Sequence, residues 1–331
     1  MTLRLDRRIF AGTVLGILAC GTLALSGAAP VRAADVQEIR LDWATYNPVS
    51  LVLKEKGFLE EALKPQGIKV RWTQSLGSNK ALEFLNGGAI DFGSSAGAAA
   101  LLARINGNPI KAVYAFSRPE WTALVTRKDT GIAKVADLKG KRIAVTRGTD
   151  PHIFLIRALQ GAGLTEKDAK LVLLQHPDGR TALDRGDVDA WAGLDPMMAA
   201  AEIENNDVLF FRDPAANTWG VLDVREDFAT AHPELVRLVI AAYEQARTYA
   251  LKNPEALKAA LVAATKLPEP VIARQIERTD LSQPAIGPTQ AEAIRAAGAA
   301  LQQAGVIAAD TNVQAAVDGL IDPQFNPAPA R

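Results

Sequence analysis

The stretch EIRLDWATY, residues 38–46, reads as a strand that Asn47 and Pro48 close. The period then changes, because Leu51, Leu59 and Leu63 in LVLKEKGFLEEALK fall at helical spacing with an interruption at Gly57. Ile68, Val70 and Trp72 return to alternation and predict a second strand over 68–75. A short helix follows in LGSNKALEFLNGG, residues 76–88, with Ser78 or Asn79 placed to cap its start and Gly87 to stop it. The strand AIDFGS (89–94) runs into the helix AGAAALLARI (96–105), and KRIAVTRG later leads in the same way into DPHIFLIRALQGAGL. Strand then helix, repeatedly, predicts an α/β chain with mainly parallel, doubly wound sheets.

One internal echo organises the chain. ALEFLNGGAIDFG (81–93) and ALDRGDVDAWAG (182–193) share a helix end, a glycine, and an Ile-Asp or Val-Asp pair entering a strand, so a similar lobe is built twice. Between them, WTALVTRKDTGI (121–132) and NTWGVLDVREDF (217–228) are extended segments where the chain can leave the first lobe and return to it. The expected division is 34–124 with 222–331 as one lobe and 125–221 as the other. Beyond about residue 225 the pattern is strongly helical, and the proline-rich end PQFNPAPAR is expected to be loosely held.

Composition changes the picture at the N-terminus. Arg4, Arg7 and Arg8 precede an uncharged stretch over 9–31 that ends in a small-residue site, which predicts an export signal over 1–33 cleaved near Ala33. The adjacent Arg7 and Arg8 followed by Phe10 fit the twin-arginine pattern, with the general secretory route as the alternative. Cys20, the one cysteine, would leave with that signal, so neither a disulfide nor a thiolate metal site is expected in the mature chain. No second apolar span is long enough to cross a bilayer, which leaves a soluble protein of the periplasm. Of 37 basic and 37 acidic residues, the signal takes Arg4, Arg7, Arg8, Arg32 and Asp6, leaving 33 against 36 and a net charge near −3. That balance argues against nucleic acid as a partner. With 331 residues and 48% hydrophobic content, the chain can fill two modest cores.

The candidate chemistry lies where strands end and helices begin, because helix starts present unbonded N–H groups and a partial positive charge. LGSN (76–79), GSSAG (93–97) and RGTD (147–150) each place glycine and hydroxyl residues at such a junction. Ser94 and Ser95 supply hydroxyls and Gly97 bares the backbone, although close packing of helix on sheet also selects small residues. Asn47, Ser78, Asn79 and Thr149 extend this candidate anion pocket, and Arg118 is the best charged contact, with Glu120 as its possible partner. Trp121 and Trp191 are candidate apolar walls or core. Asp150-Pro151 reads as a helix cap, whereas Asp195, before Pro196, could instead meet a ligand's amino group. Neither a phosphate loop nor a dinucleotide fingerprint occurs, and His152, His176 and His232 lack metal-ligand spacing, so no cofactor or metal is expected. GSSAG lacks the nucleophile-elbow pattern, which favours binding without chemistry over a hydrolase.

FLNGGAIDFGSS, VADLKGKRIAV, RGTDPHIFLIRALQGAGL and above all GDVDAWAGLDP resemble, in order and separation, segments of the periplasmic binding proteins of nitrate, taurine and sulfonate ABC importers. The likeness is strongest to the aliphatic-sulfonate binders. It implies a type II fold of two α/β lobes with a cleft between, a monomer, a sulfonate held near Ser78, Ser94, Ser95, Thr149 and His152, and delivery to a membrane permease. Asp150 and Pro151 stand where the family usually carries a serine-rich run, Leu194 where an aromatic is frequent, and Met197 where tyrosine is. Taurine, sulfate esters, nitrate and a vitamin precursor remain alternative ligands; a secreted hydrolase of sulfate esters is the alternative of another class.

Overall fold

Strand and helix alternate from the first described residue onward in a computed structural model that describes residues 36–327. The export signal, its twin arginine and the cleavage point near Ala33 lie outside the described residues. The chain runs β1 (Glu38–Trp43), α1 (Pro48–Lys56), α2 (Phe58–Leu63), β2 (Lys69–Gln74), α3 (Ser78–Asn86), β3 (Phe92–Ala96), α4 (Gly97–Ile105), β4 (Ile110–Pro119). It continues through β5 (Thr122–Thr126), β6 (Arg142–Val145), α5 (Asp150–Gly161), β7 (Lys170–Leu173), α6 (His176–Arg185), β8 (Ala190–Leu194), α7 (Met197–Glu204) and β9 (Val208–Phe211). After β10 (Gly220–Arg225) come α8 (Glu226–Ala231), α9 (Pro233–Lys252), α10 (Pro254–Thr265), α11 (Glu269–Glu277), β11 (Thr279–Asp280), α12 (Pro288–Gln303) and α13 (Val313–Leu320).

Local chemistry explains these boundaries. Asn47 Oδ1 accepts from the Ser50 amide at 3.2 Å and Pro48 opens α1, whose first N–H would have had no helical partner. Gly57 ends that helix at φ 66, and its N–H donates to Leu53 O at 3.1 Å, which gives the predicted interruption before α2. Proline likewise stands in the first turn of α5, α6, α9 and α12.

The strands form a six-stranded sheet in the order β11-β4-β10-β3-β1-β2 and a five-stranded sheet in the order β7-β6-β8-β5-β9. Parallel winding holds for β2-β1-β3 and for β7-β6-β8. The strands next to the crossings add antiparallel pairs, β10 with β3 and β4, and β5 with β8 and β9, so both sheets are mixed. Because β10 comes late in the sequence yet sits between β3 and β4, the chain returns to its first sheet after building the second.

Each sheet has its own apolar core. Phe92, Tyr114, Phe116 and Tyr243 are fully buried around the first sheet, while Phe154, Leu155 and Leu159 on one face and Leu183, Trp191 and Met198 on the other fill the second. Contacts also join helices that belong to different sheets. Ala199 and Ala200 of α7 pack on Val271 of α11, Arg274 of α11 reaches Glu202 of α7 at 2.8 Å, and Gln160 of α5 donates to Ala300 O of α12 at 3.1 Å. Helices flanking the two sheets are thus in contact at two places, α7 with α11 and α5 with α12. Among the described residues no helix is long and apolar enough to cross a membrane.

Candidate functional site

The small-residue stretch that first suggests an anion site turns out to be closed by the protein itself. Strand β3 continues through Ala96, so Ser94 and Ser95 are buried strand residues rather than first-turn helix residues. The Ser94 hydroxyl donates to Asp42 Oδ1 at 2.8 Å and accepts from Asn47 Nδ2 at 2.8 Å, and the Ser95 hydroxyl donates to Asp223 Oδ2 at 2.6 Å. Ser78 Oγ accepts from the Ala96 amide at 3.0 Å rather than capping its own helix. At the start of α4, Gly97 N–H donates to Trp219 O at 2.8 Å and Ala98 N–H to Thr218 Oγ1 at 3.3 Å. A Cβ on Gly97 would lie 2.6 Å from Ile294 Cδ1. Asn47, Ser78, Ser94, Ser95 and Gly97 serve internal bonding and close packing here. Burial pushes Asp42 up to about 6 and Asp223 well above the usual carboxylate range, because neither has a cation beside it.

Three other helix starts do converge. The position of a Cβ on Gly77, just before α3, lies 3.3 Å from His176 Nε2 of α6 and 2.9 Å from Asn79 Oδ1. A Cβ on Gly148, just before α5, would lie 3.9 Å from Asn79 Cβ. One helix start from the first sheet thus faces two from the second. The amides of Ser78, Asn79, Thr149, Asp150, His176 and Asp178 precede the first intrahelical bonds and have no partner among the described residues. Buried side-chain atoms without partners gather with them: Asn79 Oδ1, Gln175 Oε1 and both ring nitrogens of the fully buried His176. Burial holds the His176 imidazole neutral by lowering its pKa to about 3. Bare amides and bare side-chain atoms at the meeting of these helix starts are what a guest would satisfy, since buried polar groups are nearly always bonded.

The remaining candidates fall around this centre. Thr149 is buried and its hydroxyl donates to Thr146 O at 2.7 Å, leaving its amide as its free group. His152 bonds Glu166 Oε1 through Nε2 at 2.9 Å and accepts from Gly148 N at 3.4 Å through Nδ1, so it holds the loop rather than reaching into the gap. Its hydrogen bond keeps the Glu166 carboxyl below its usual range. Asp150 is no N-cap: Thr149 precedes the helix, and the Asp150 carboxylate accepts from Trp121 Nε1 at 2.8 Å, Thr218 N at 3.0 Å and Thr218 Oγ1 at 2.6 Å. Those bonds tie α5 to both crossing segments, and they make Trp121 a pinned residue packed edge-on against Tyr46 at 6.0 Å rather than a free wall. Trp191 is fully buried beneath α6, where a Cβ on Gly179 would lie 2.8 Å from its Nε1, so it is core of the second sheet.

Arg118 is exposed, stacks over Trp219 at 5.8 Å, and has no acidic partner among the described residues; it stands beside the closed α4 start, and Glu120 pairs with Arg212 at 2.7 Å instead. Asp195 Oδ1 accepts from Ala199 N at 2.9 Å and meets Arg278 Nη1 at 3.4 Å, while Oδ2 stays bare. Burial pushes Asp195 up to about 6 against the pull of Arg278. Among the described residues no three His, Cys, Asp or Glu side chains gather to hold a metal ion. Sequence reasoning read Gly77 as part of the LGSN junction but did not choose Gln175 or His176. The signal was present, because Gln-His-Pro follows a strand and opens a helix just as Asn47-Pro48 and Asp150-Pro151 do.

Two mixed α/β sheets, joined by two crossing segments and meeting at a gap ringed by helix starts, define the periplasmic binding protein fold. The chain belongs to the NMT1/THI5-like family, which it matches over residues 48–257. It is 27% identical over 292 residues to an aliphatic sulfonates-binding protein of Escherichia coli, covering 88% of this chain and 89% of the relative. Over 198 residues it is 29% identical to the taurine-binding periplasmic protein of Escherichia coli, covering 58% and 61% of the two chains. In three dimensions it shares the fold of the alkanesulfonate-binding protein SsuA from Xanthomonas axonopodis pv. citri, solved bound to MOPS. That match has a TM-score of 0.78 at 24% identity and covers 86% of this chain and 99% of the other.

Proposed function

We propose that this protein is the extracytoplasmic solute-binding component of an ABC importer, which captures an aliphatic sulfonate or related organosulfur anion and delivers it to a membrane permease. The observation that carries this reading is the close approach of three helix starts, α3, α5 and α6, whose first amides have no partner among the described residues. Each start places N–H donors and the positive end of a helix dipole toward a bound anion. Hydrogen bonds to a charged group contribute about 1.5–3 kcal/mol each, and a micromolar dissociation constant needs about 8 kcal/mol, so three or four suffice. The sulfonate- and taurine-binding relatives support the choice of anion, with sulfate esters, nitrate and a vitamin precursor as the competing guests.

The lobes are residues 34–124 with 222–331, and 125–221, and the protein works as a periplasmic monomer after its signal is removed. Closure joins α7 to α11 and α5 to α12, and a guest that bonds both sides stabilises that closed state, whose outline the permease reads. No bond is made or broken on this reading: the Ser94 and Ser95 hydroxyls are directed at carboxylates and His152 at Glu166, so neither serine is paired with a histidine base. Thermal unfolding of the mature protein with alkyl sulfonates, taurine, sulfate esters and nitrate tests the reading. A guest at 100 times its dissociation constant adds about 2.7 kcal/mol of stability. A flat response to every sulfonate overturns the proposal.

A further inference from the structure

The gap between α3, α5 and α6 carries more than anion-binding amides. His176 is fully buried, and neither ring nitrogen has a partner among the described residues. A neutral imidazole has one N–H and one bare nitrogen. An anion can use only the N–H. The bare nitrogen needs a donor, and so do Asn79 Oδ1 and Gln175 Oε1, which are buried and unpartnered as well. Asn79 Oδ1 and the His176 ring come from opposite sheets and both crowd against Gly77, at 2.9 Å and 3.2–3.3 Å from the position of its absent Cβ. A guest made only of an anionic head and an alkyl chain would leave these acceptors desolvated and unanswered.

We infer that His176 and Asn79 are specificity-determining residues that read a hydrogen-bond donor on the guest's carbon skeleton, so that the protein selects hydroxyl- or amino-bearing sulfonates over bare alkyl sulfonates. This rests on the sulfonate-binding reading above. The anionic head engages the helix-start amides, and the hydroxyl or ammonium, two or three bonds away, donates to the imidazole nitrogen and the Asn79 carbonyl. His176 contributes no charge to the anion; it is the discriminating group because it accepts.

Calorimetric titration of the mature protein with ethanesulfonate, 2-hydroxyethanesulfonate and 2-aminoethanesulfonate tests the inference. Wild type is expected to bind at least one substituted sulfonate tenfold or more tighter than ethanesulfonate. His176→Phe, which keeps a flat ring against Gly77, should bring that ratio within about threefold of unity, whatever it does to the affinity for ethanesulfonate itself. His176→Gln should keep part of the preference, and Asn79→Ala, at a partly exposed position, should reduce it by itself even if the histidine variants fold poorly. Equal affinities in wild type, or a preference that survives both His176→Phe and Asn79→Ala, overturn the assignment and leave the sulfonate-binding reading intact. Failure of wild type to bind all three overturns both.

Discussion

Two kinds of helix start border the same region, and they differ in what answers their amides. At α4 the amides of Gly97 and Ala98 already have Trp219 O and Thr218 Oγ1, and Ile294 fills the space above Gly97. At α3, α5 and α6 no protein group takes the first amides among the described residues. The residue types are alike at both, small and polar after a strand. A bare helix start is therefore a packing device when a third element covers it, and on the proposed function a binding device when it faces only another helix start. The distinction also bears on conformational preference, because unanswered buried donors penalise a closed form that lacks a guest. Binding would remove that penalty and so bias the lobes toward closure.

A side chain forced between the starts of α3 and α6 should have the largest effect. Gly77 has φ 167, extended backbone that any residue adopts, so Gly77→Val adds side-chain atoms without backbone strain. The new Cβ would meet Asn79 Oδ1 at 2.9 Å and the His176 ring at 3.2 Å, which holds α3 away from α6. Calorimetry should show anion affinity lower by more than a hundredfold, about 2.7 kcal/mol. Wild-type affinity in this variant would mean that the three starts do not form the site.

The counterpart at the closed start should reverse that pattern. Gly97→Ala places a Cβ 2.6 Å from Ile294 Cδ1, an overpacking that costs about 1–3 kcal/mol of stability, read by chemical denaturation, while affinity stays within a few fold. This contrast also marks what was legible beforehand. The alternation of strand and helix, the interruption at Gly57 and the prolines that open helices are written within a few residues of where they act. The plug on α4 is not, because Thr218 and Trp219 lie about 120 positions and Ile294 nearly 200 positions further along the chain. Ser94 and Ser95 could not be separated from anion ligands for the same reason: their carboxylate partners Asp42 and Asp223 come from other strands. His176 carried the local mark of a helix start, yet a lone histidine without metal spacing gave no ground for choosing it.

Protonation separates the open start from the acid network beneath the closed one. His176 has its pKa lowered to about 3, so below pH 6.5 the unfolded chain takes up a proton that the native state refuses. Its contribution to stability is present above pH 6.5 and is lost on acidification, at a slope that approaches about 1.4 kcal/mol per pH unit. Asp42 and Asp195, raised to about 6, act in the opposite sense, and their contribution is lost as pH rises through that value. Both acids persist in His176→Phe, so subtracting its stability from that of wild type isolates the histidine. The difference should fall steadily from pH 7 to pH 5. A flat difference would mean that the imidazole is not enclosed in neutral form.

The smallest effect belongs to the residue that sequence reasoning chose first for the anion's charge. Arg118 stacks on Trp219, whose carbonyl already occupies the closed α4 start, and it is exposed. An exposed cation at that place adds only screened, long-range attraction to a guest between α3, α5 and α6. Arg118→Ala should therefore change affinity by less than about threefold at physiological salt, and the small loss should shrink further in 0.5 M salt. A loss of tenfold or more that persists in high salt would require direct contact between the guanidinium and the guest. That result would move the anion to the α4 side and reverse the assignment of open and closed helix starts.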